Sequence, residues 1–211
     1  MVRNDPADLL AGAVAAEGLA VPPERQRLLL DYLALLRRWN RAYNLTAITD
    51  PGEMVRRHLL ESLRLLPLIE GGRVLDVGSG AGVPGMVLAI ADPQRAYTLL
   101  DARGKRTRFL TQVKLELGLK NVTVVRARVE RYRPGAPFDT LLARAFASLP
   151  ALLRLCRPLL PAGGLLLAMT GPGAATGAEG YRLERELPDP DGSGRRLLLL
   201  RPLPAPGAAV T

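Results

Sequence analysis

The chain has 211 residues and a mass of 22.7 kDa, enough for one α/β domain with an appended helical piece to bury a sizeable core unaided. One cysteine and one histidine exclude an internal disulfide and any thiolate or imidazole cluster for zinc, and the absence of a long uncharged apolar run or an export signal points to a cytoplasmic protein. Lys and Arg total 29 against 20 Asp and Glu, a formal charge of +9; this favours a polyanion such as nucleic acid as partner, although Arg-rich composition accounts for part of it.

In chain order, Pro22-Pro23 open a helix over 24–39, with Leu28, Leu29, Tyr32, Leu33 and Leu36 at helical spacing. A second helix is predicted from Met54 to Leu66, stopped by Pro67, and Gly71-Gly72 mark the boundary before the first strand. Strands near 73–77, 97–101, 122–126, 138–143 and 164–169 alternate with helices near 84–91, 105–117 and 148–155. That alternation predicts a Rossmann-like α/β fold, a mostly parallel seven-stranded sheet with helices on both faces. Cys156 reads as a small apolar residue on a buried helix face. Gly171–Gly180 is a small-residue loop, and Tyr181–Glu186 and Arg195–Leu200 are the closing strands. The expected organisation is an N-terminal helical cap over 1–70 within the same compact unit, a main domain over 71–203 and a flexible Pro-rich tail over 204–211.

The chemistry begins where Val74-Leu75-Asp76-Val77 runs into Gly78-Ser79-Gly80-Ala81-Gly82. Glycines supply positive backbone dihedrals and bring bare N–H groups close to a ligand, beside the unsatisfied N–H groups of the following helix. A dinucleotide loop requires G-x-G-x-x-G, whose third glycine is here Val83, and no Lys-Ser or Lys-Thr follows to make a phosphate-binding P-loop. D-x-G-x-G-x-G is instead the pattern of the S-adenosylmethionine loop in Rossmann-like methyltransferases. A plain strand-to-helix turn is the alternative. Asp101, ending the second strand, lies at the spacing where a carboxylate meets a ribose; N-capping the next helix is its bland alternative.

The basic residues cluster. Arg37, Arg38 and Arg41 lie on or just after the first helix, Arg56 and Arg57 precede His58, and Arg103, Lys105, Arg106 and Arg108 crowd the segment after Asp101. Arg126, Arg128, Arg131 and Arg133 follow the third strand. In a doubly wound sheet those segments emerge at the carboxyl ends of the strands, so much of this charge should ring the ligand crevice. Arg133, Arg195, Arg196 and Arg201 read equally well as scattered solvated arginines.

Taken together, Trp39-Asn40-Arg41-Ala42-Tyr43-Asn44-Leu45-Thr46, Arg57-His58 with Glu61-Ser62, the glycine loop through Val83-Pro84-Gly85, Leu99-Leu100-Asp101 with Gly104-Lys105-Arg106 and Arg108-Phe109-Leu110, Arg128-Val129-Glu130, and Arg144-Ala145-Phe146-Ala147-Ser148 resemble the motifs of the bacterial small-subunit ribosomal RNA methyltransferase G family, also called glucose-inhibited division protein B. The resemblance runs from about residue 25 to about residue 171. It implies transfer of a methyl group from S-adenosylmethionine to N7 of one guanine in the decoding-region loop of 16S rRNA, with free rRNA or an assembling small subunit as partner. It also implies a cofactor site made by Gly78, Gly80 and Val83 in the loop, Asp101 at the ribose, Val129 and Glu130 beside the adenine, and Arg144 where cofactor and target base meet. Main-chain N–H groups at Val129 or Glu130 can read adenine edges, the Glu130 carboxylate can accept from an exocyclic amine, and Arg144 offers a planar fork.

Guanine N7 carries an in-plane lone pair, so its methylation needs no general base and no metal; catalysis is expected from alignment, with Arg144 as a positioning residue. Because the methylated ring becomes positive, Arg37, Arg41, Lys105 and Arg106 are expected to contact phosphates rather than the base. Trp39 and Tyr43 are expected to pack the cap against the sheet, and His58 to make a structural hydrogen bond between cap and main domain. Three positions depart from the family pattern: Thr170-Gly171 where Lys-Gly is common, Glu61 where Asp is usual, and Ala102-Arg103 in place of Ser-Leu. A methyltransferase of another RNA base and a non-catalytic RNA-binding module are the rival functions, and a monomer is expected.

Overall fold

A computed structural model of the chain describes residues 5–144, 148–173, 178–189 and 192–204. The tail beyond 204, part of the 171–180 loop and residues 145–147 of the Arg144–Ser148 motif lie outside the described residues.

Helix α1 (Pro6–Ala16) carries proline in its first turn and an N-cap, Asp5, whose side chain accepts from the Ala7 N–H at 3.1 Å. Helix α2 (Pro23–Tyr43) runs four residues beyond the predicted end. It stops at Asn44, which adopts the left-handed conformation, φ 49°, that asparagine tolerates better than most residues. Its buried stripe is Leu29, Tyr32, Leu33, Leu35 and Leu36.

The second predicted helix differs from expectation. It begins at Pro51 behind the N-cap Asp50 (α3, Pro51–Met54), widens into a π-helical segment over Val55–Leu60, and closes as α4 (Glu61–Leu63). Pro67 sits inside a 3-10 turn, Leu66–Leu68, so the helix has already ended before the proline. Hydrophobic periodicity sees an apolar face but not the register change of a π turn, a feature that recurs at functional sites.

Seven strands form one sheet in the order β3-β2-β1-β4-β5-β7-β6. Strands β1 (Arg73–Val77), β2 (Ala96–Asp101), β3 (Val122–Arg126), β4 (Thr140–Arg144) and β5 (Leu165–Thr170) are parallel; β7 (Arg196–Pro202) is antiparallel to both β5 and β6 (Tyr181–Pro188). Alternate residues face opposite sides. Val74, Tyr97, Leu99, Leu142, Leu165 and Leu167 share one core with α1, α2, the π segment, α5 (Gly85–Ala91) and α6 (Gly104–Glu116). Leu75, Val77, Leu100, Leu141, Leu166 and Leu198 pack on the other side with α7 (Leu149–Cys156), where Cys156 is buried and its thiol pushed up to about 12 by burial. Each fully buried Leu of these layers is worth roughly 1.5–3 kcal/mol relative to exposure.

Chain order turns back between β3 and β4, so β1 lies between β2 and β4. That reversal places a topological switch point at the carboxyl ends of β1 and β4, the position where open α/β sheets bind ligands. The glycine loop, Asp101 and Arg144 all fall at that edge.

Candidate functional site

The loop after β1 is tied to β2 before it reaches any ligand: the N–H groups of Gly78 and Ser79 both donate to the Leu100 carbonyl, at 2.8 and 3.0 Å. Gly78, Gly80 and Gly82 have φ of +73°, +57° and +90°, which side-chain-bearing residues adopt at a cost. Their surroundings differ. A Cβ on Gly82 would sit 2.6 Å from the Met86 Cβ, and one on Gly85 would sit 2.5 Å from Asp76 Oδ2 and 2.6 Å from Leu99 Cδ2. These two glycines therefore allow helix α5 to close on the sheet, the role a dinucleotide loop assigns to its third glycine. A Cβ on Gly78 would meet nothing within 4 Å, so its backbone faces open space. Beside it the Ser79 hydroxyl is buried with no hydrogen-bond partner among the described residues. An open glycine and an orphaned buried hydroxyl fit a loop that could hold a cofactor. Val83 is half-buried against the first core, just before Pro84.

Asp76 is 1% exposed, and its Oδ2 accepts the Gly85 N–H at 2.9 Å. Burial raises its carboxyl to about 7 despite that hydrogen bond. Asp101 is also buried and works as a three-way tie. Its Oδ2 accepts from the Gly80 N–H at 3.0 Å and from Arg106 at 3.1 Å, while Oδ1 accepts from the Arg103 N–H at 2.7 Å. The N-cap of α6 is Arg103, without a side-chain cap, so Asp101 does not cap that helix; it accepts from the N–H of the residue before the helix and ties the glycine loop to the entry of α6. Val129 and Glu130 form a 3-10 turn after β3, with Val129 half-buried and Glu130 exposed. Arg133 donates to the carbonyls of Glu130 and Tyr132 and so braces that turn.

The cap reaches the loop through Tyr32, which sequence periodicity marks only as a core position. Its hydroxyl donates to the Ala81 carbonyl at 2.9 Å, and its ring lies 6.3 Å from that of Phe109 in α6. Trp39 packs on Phe109 and stacks on Tyr43, so the two aromatics secure the cap against α6 rather than against the strands directly. The motif around Trp39 is otherwise a backbone clasp. The Asn40 amide exchanges hydrogen bonds with both backbone groups of Thr46, and Thr46 Oγ1 lies 3.0 Å from His58 Nε2. The expectation for His58 is corrected here: its bond stays within the cap instead of crossing to the main domain. Burial, then the Arg144 charge, lowers its pKa to about 4, so the ring is neutral and shares one hydrogen bond with the Thr46 hydroxyl.

Glu61 is the hub of the cap face. Its carboxylate pairs with Arg144 at 3.0 Å, Arg57 at 2.9 Å and Arg195 at 2.8 Å, and Arg195 also pairs with Asp189 at 2.7 Å. Arg144 additionally donates to the Arg57 carbonyl at 3.4 Å, so its fork is held by the π segment. The C-terminal arginines are thus not scattered solvated groups: Arg195 joins this hub, Arg196 pairs with Glu186, and Arg201 with Glu70 and Glu184. Long-range pairing of this kind carries no local sequence signal. Thr170 donates to the Arg196 carbonyl across the β5–β7 ladder.

Of the four expected phosphate contacts, Arg37 and Arg41 are exposed and line a groove of about 690 Å³ with Arg38, Asn40, Asn44 and Thr49. Arg38 pairs with Glu116, whereas no described carboxylate pairs with Arg37 or Arg41. Lys105 is exposed with its ammonium 5.9 Å from the Tyr43 ring centre. Arg106 is the exception, held inward by Asp101. Among the described residues no group of His, Cys, Asp and Glu could hold a metal ion, and no helix is long and apolar enough to cross a membrane.

Fold and loop together define the class: the architecture is that of the Rossmann-like, S-adenosylmethionine-dependent methyltransferases. A crystal structure of a mutant MtNAS in complex with S-adenosylmethionine aligns with a TM-score of 0.59 at 16% identity, over 85% of this chain and 79% of that one. TrmN from Thermus thermophilus aligns with 0.54 at 23% identity, over 79% and 53%. At sequence level the family model described as rRNA small subunit methyltransferase G matches residues 25–184. The ribosomal RNA small subunit methyltransferase G of Alkalilimnicola ehrlichii is 57% identical over 158 residues, 73% of this chain and 70% of that protein. That of Pseudomonas aeruginosa is 51% identical over 206 residues, 94% and 96% of the two chains. The chain belongs to the rRNA small subunit methyltransferase G family.

Proposed function

We propose that this protein methylates N7 of a single guanine in 16S rRNA, with S-adenosylmethionine as donor. Bound at the loop, the donor supplies an electrophilic sulfonium methyl group. Gly78 offers open backbone, Ser79 an unspent hydroxyl and Asp101 a carboxylate for the ribose, with Gly80 and Val83 shaping the loop. Val129 and Glu130, at the end of the neighbouring strand, flank the adenine.

The observation that favours N7 is the state of the groups that could act as bases. The His58 Nε2 is spent on Thr46, the Asp76 Oδ2 on the Gly85 N–H and the Tyr32 hydroxyl on Ala81. A nucleophile that must first lose a proton would need a base, and these three atoms are already engaged. Guanine N7 does not, and alignment alone suffices. Arg144 serves as the positioning residue, its guanidinium fixed by Glu61 beside the crevice.

The exposed arginines of α2 and Lys105 provide phosphate contacts, which are independent of sequence and therefore suit a structured RNA. The rRNA, free or in an assembling subunit, meets a monomer in the cytoplasm. Cap and main domain act as one unit, since a single core includes Leu29, Tyr32 and Leu99. Mapping N7-methylguanine in 16S rRNA from cells with and without the gene tests the reading: one methylated guanine should disappear. An unchanged N7 pattern with loss of another methylated base would transfer the assignment to that base. Absence of S-adenosylmethionine binding by calorimetry would reduce the protein to an RNA-binding module.

A further inference from the structure

Asp101 carries more donors than a dedicated ribose acceptor should. A carboxylate offers about four acceptor positions, two on each oxygen. Oδ2 already serves the Gly80 N–H and Arg106, and Oδ1 serves the Arg103 N–H. A ribose diol that donates one hydroxyl to each oxygen therefore finds room on Oδ1 but none on Oδ2. Two of the three donors are main-chain N–H groups fixed by the glycine loop and by the entry to α6. The third is a side chain on a flexible stem. Arg106 must yield, and its position agrees: the guanidinium lies over the loop, with Nη1 3.9 Å from the place a Cβ on Gly80 would occupy.

The displaced group has a ready destination. Arg106 stands in the first turn of α6 beside the exposed Arg103, Lys105 and Arg108, and its own side chain is already one-third exposed. A guanidinium turned outward there lacks a carboxylate partner and suits a phosphate oxygen, which it binds through a charge-assisted fork.

Resting on the assignment of Asp101 to the ribose, we propose that Arg106 couples the two substrates: cofactor and RNA phosphate engage opposite ends of the Asp101–Arg106 pair and each breaks it, so each favours the binding of the other. The ribose takes Asp101 and frees Arg106; the phosphate takes Arg106 and frees Asp101. Linkage makes the effect reciprocal and equal in both directions.

The test is calorimetric titration of S-adenosylhomocysteine, which has no methyl group to transfer, into the full-length protein with and without saturating 16S rRNA at low salt. Wild-type protein should bind it about five- to tenfold more tightly with RNA present. Arg106→Ala should bind it at least about threefold more tightly than wild type without RNA, and RNA should then change the affinity by less than about twofold. Lys105→Ala, which does not touch Asp101, should weaken RNA binding and keep the wild-type ratio. Arg106→Ala that binds the ligand more weakly without RNA would show a purely structural tie and overturn the proposal, as would wild-type coupling in that variant or none in the wild type. Asp101→Asn separates the two layers: undiminished ligand affinity there removes the ribose assignment itself, whatever Arg106 does.

Discussion

The Arg144 guanidinium at the end of β4 donates to the Glu61 carboxylate of the cap at 3.0 Å, joining residues 83 positions apart in sequence. Both side chains are largely buried, and Glu61 simultaneously holds Arg57 and Arg195. The orientation of the arginine that ends β4 is thus set by the cap and by the C-terminal hairpin, not by its own strand. Glu61→Ala would leave three guanidinium groups facing one another without that carboxylate. We expect a stability loss of about 2–3 kcal/mol in urea and a fall in kcat larger than any change in cofactor affinity. Glu61→Asp, which keeps the charge, should recover most of both; equal losses in the two variants would refute the hub.

Asp76 gives a pH signature. Its carboxyl has a folded-state value of about 7 against an ordinary 3.8, because burial disfavours the charged form. The folded state therefore holds the proton more tightly, and the contribution of Asp76 to stability declines as pH rises from about 4 to about 7, then levels off. Asp76→Asn cannot lose a proton and keeps an acceptor for the Gly85 N–H. Relative to wild type it should gain roughly 1.4 kcal/mol per pH unit across that window, read from urea unfolding at pH 5, 6, 7 and 8. A constant difference across the four would show that Asp76 does not titrate there.

His58 slopes the opposite way. Its pKa is lowered from 6.5 to about 4 by burial, then by the Arg144 charge. Its share of stability is complete above pH 6.5 and is lost as pH falls toward 4, because the unfolded chain takes up the proton first. Since the chain has one histidine, a proton NMR titration reads it directly. The ring resonance should stay in its neutral position down to pH 5; a midpoint near 6.5 would contradict its burial against Thr46.

Tyr32→Phe removes the hydroxyl that holds Ala81 in the glycine loop. Loss of a buried hydrogen bond with an orphaned carbonyl predicts about 1–2 kcal/mol of destabilisation. Cofactor affinity should fall several-fold, with the salt dependence of RNA binding unaltered. Wild-type affinity for the cofactor would mean that the loop holds its shape without the cap.

Arg37→Ala with Arg41→Ala should weaken RNA binding and lower the slope of log K against log salt by about 0.7–0.9 per phosphate contact removed. Both residues are exposed on α2, so the fold and cofactor affinity should not change. An unchanged slope would place the RNA elsewhere.

Sequence alone determined the layered α/β fold, the five parallel strands, the glycine loop and the carboxylate that ends β2. Each is written in nearest-neighbour terms: alternation of apolar runs, helical spacing, and the glycines that a positive φ or a close helix demands. The motifs also carried the family resemblance, and the family match bears that out. Tertiary structure decided which glycines face open space and which only admit α5, that Tyr32 supports the loop, that His58 bonds within the cap, that Arg106 turns in toward Asp101, and that Arg195 meets Glu61. It also decided the π segment that presents Glu61 to Arg144. These are contacts between side chains far apart in sequence, and their partners are chosen by packing and by the loss of solvent around buried charge, which no local pattern encodes.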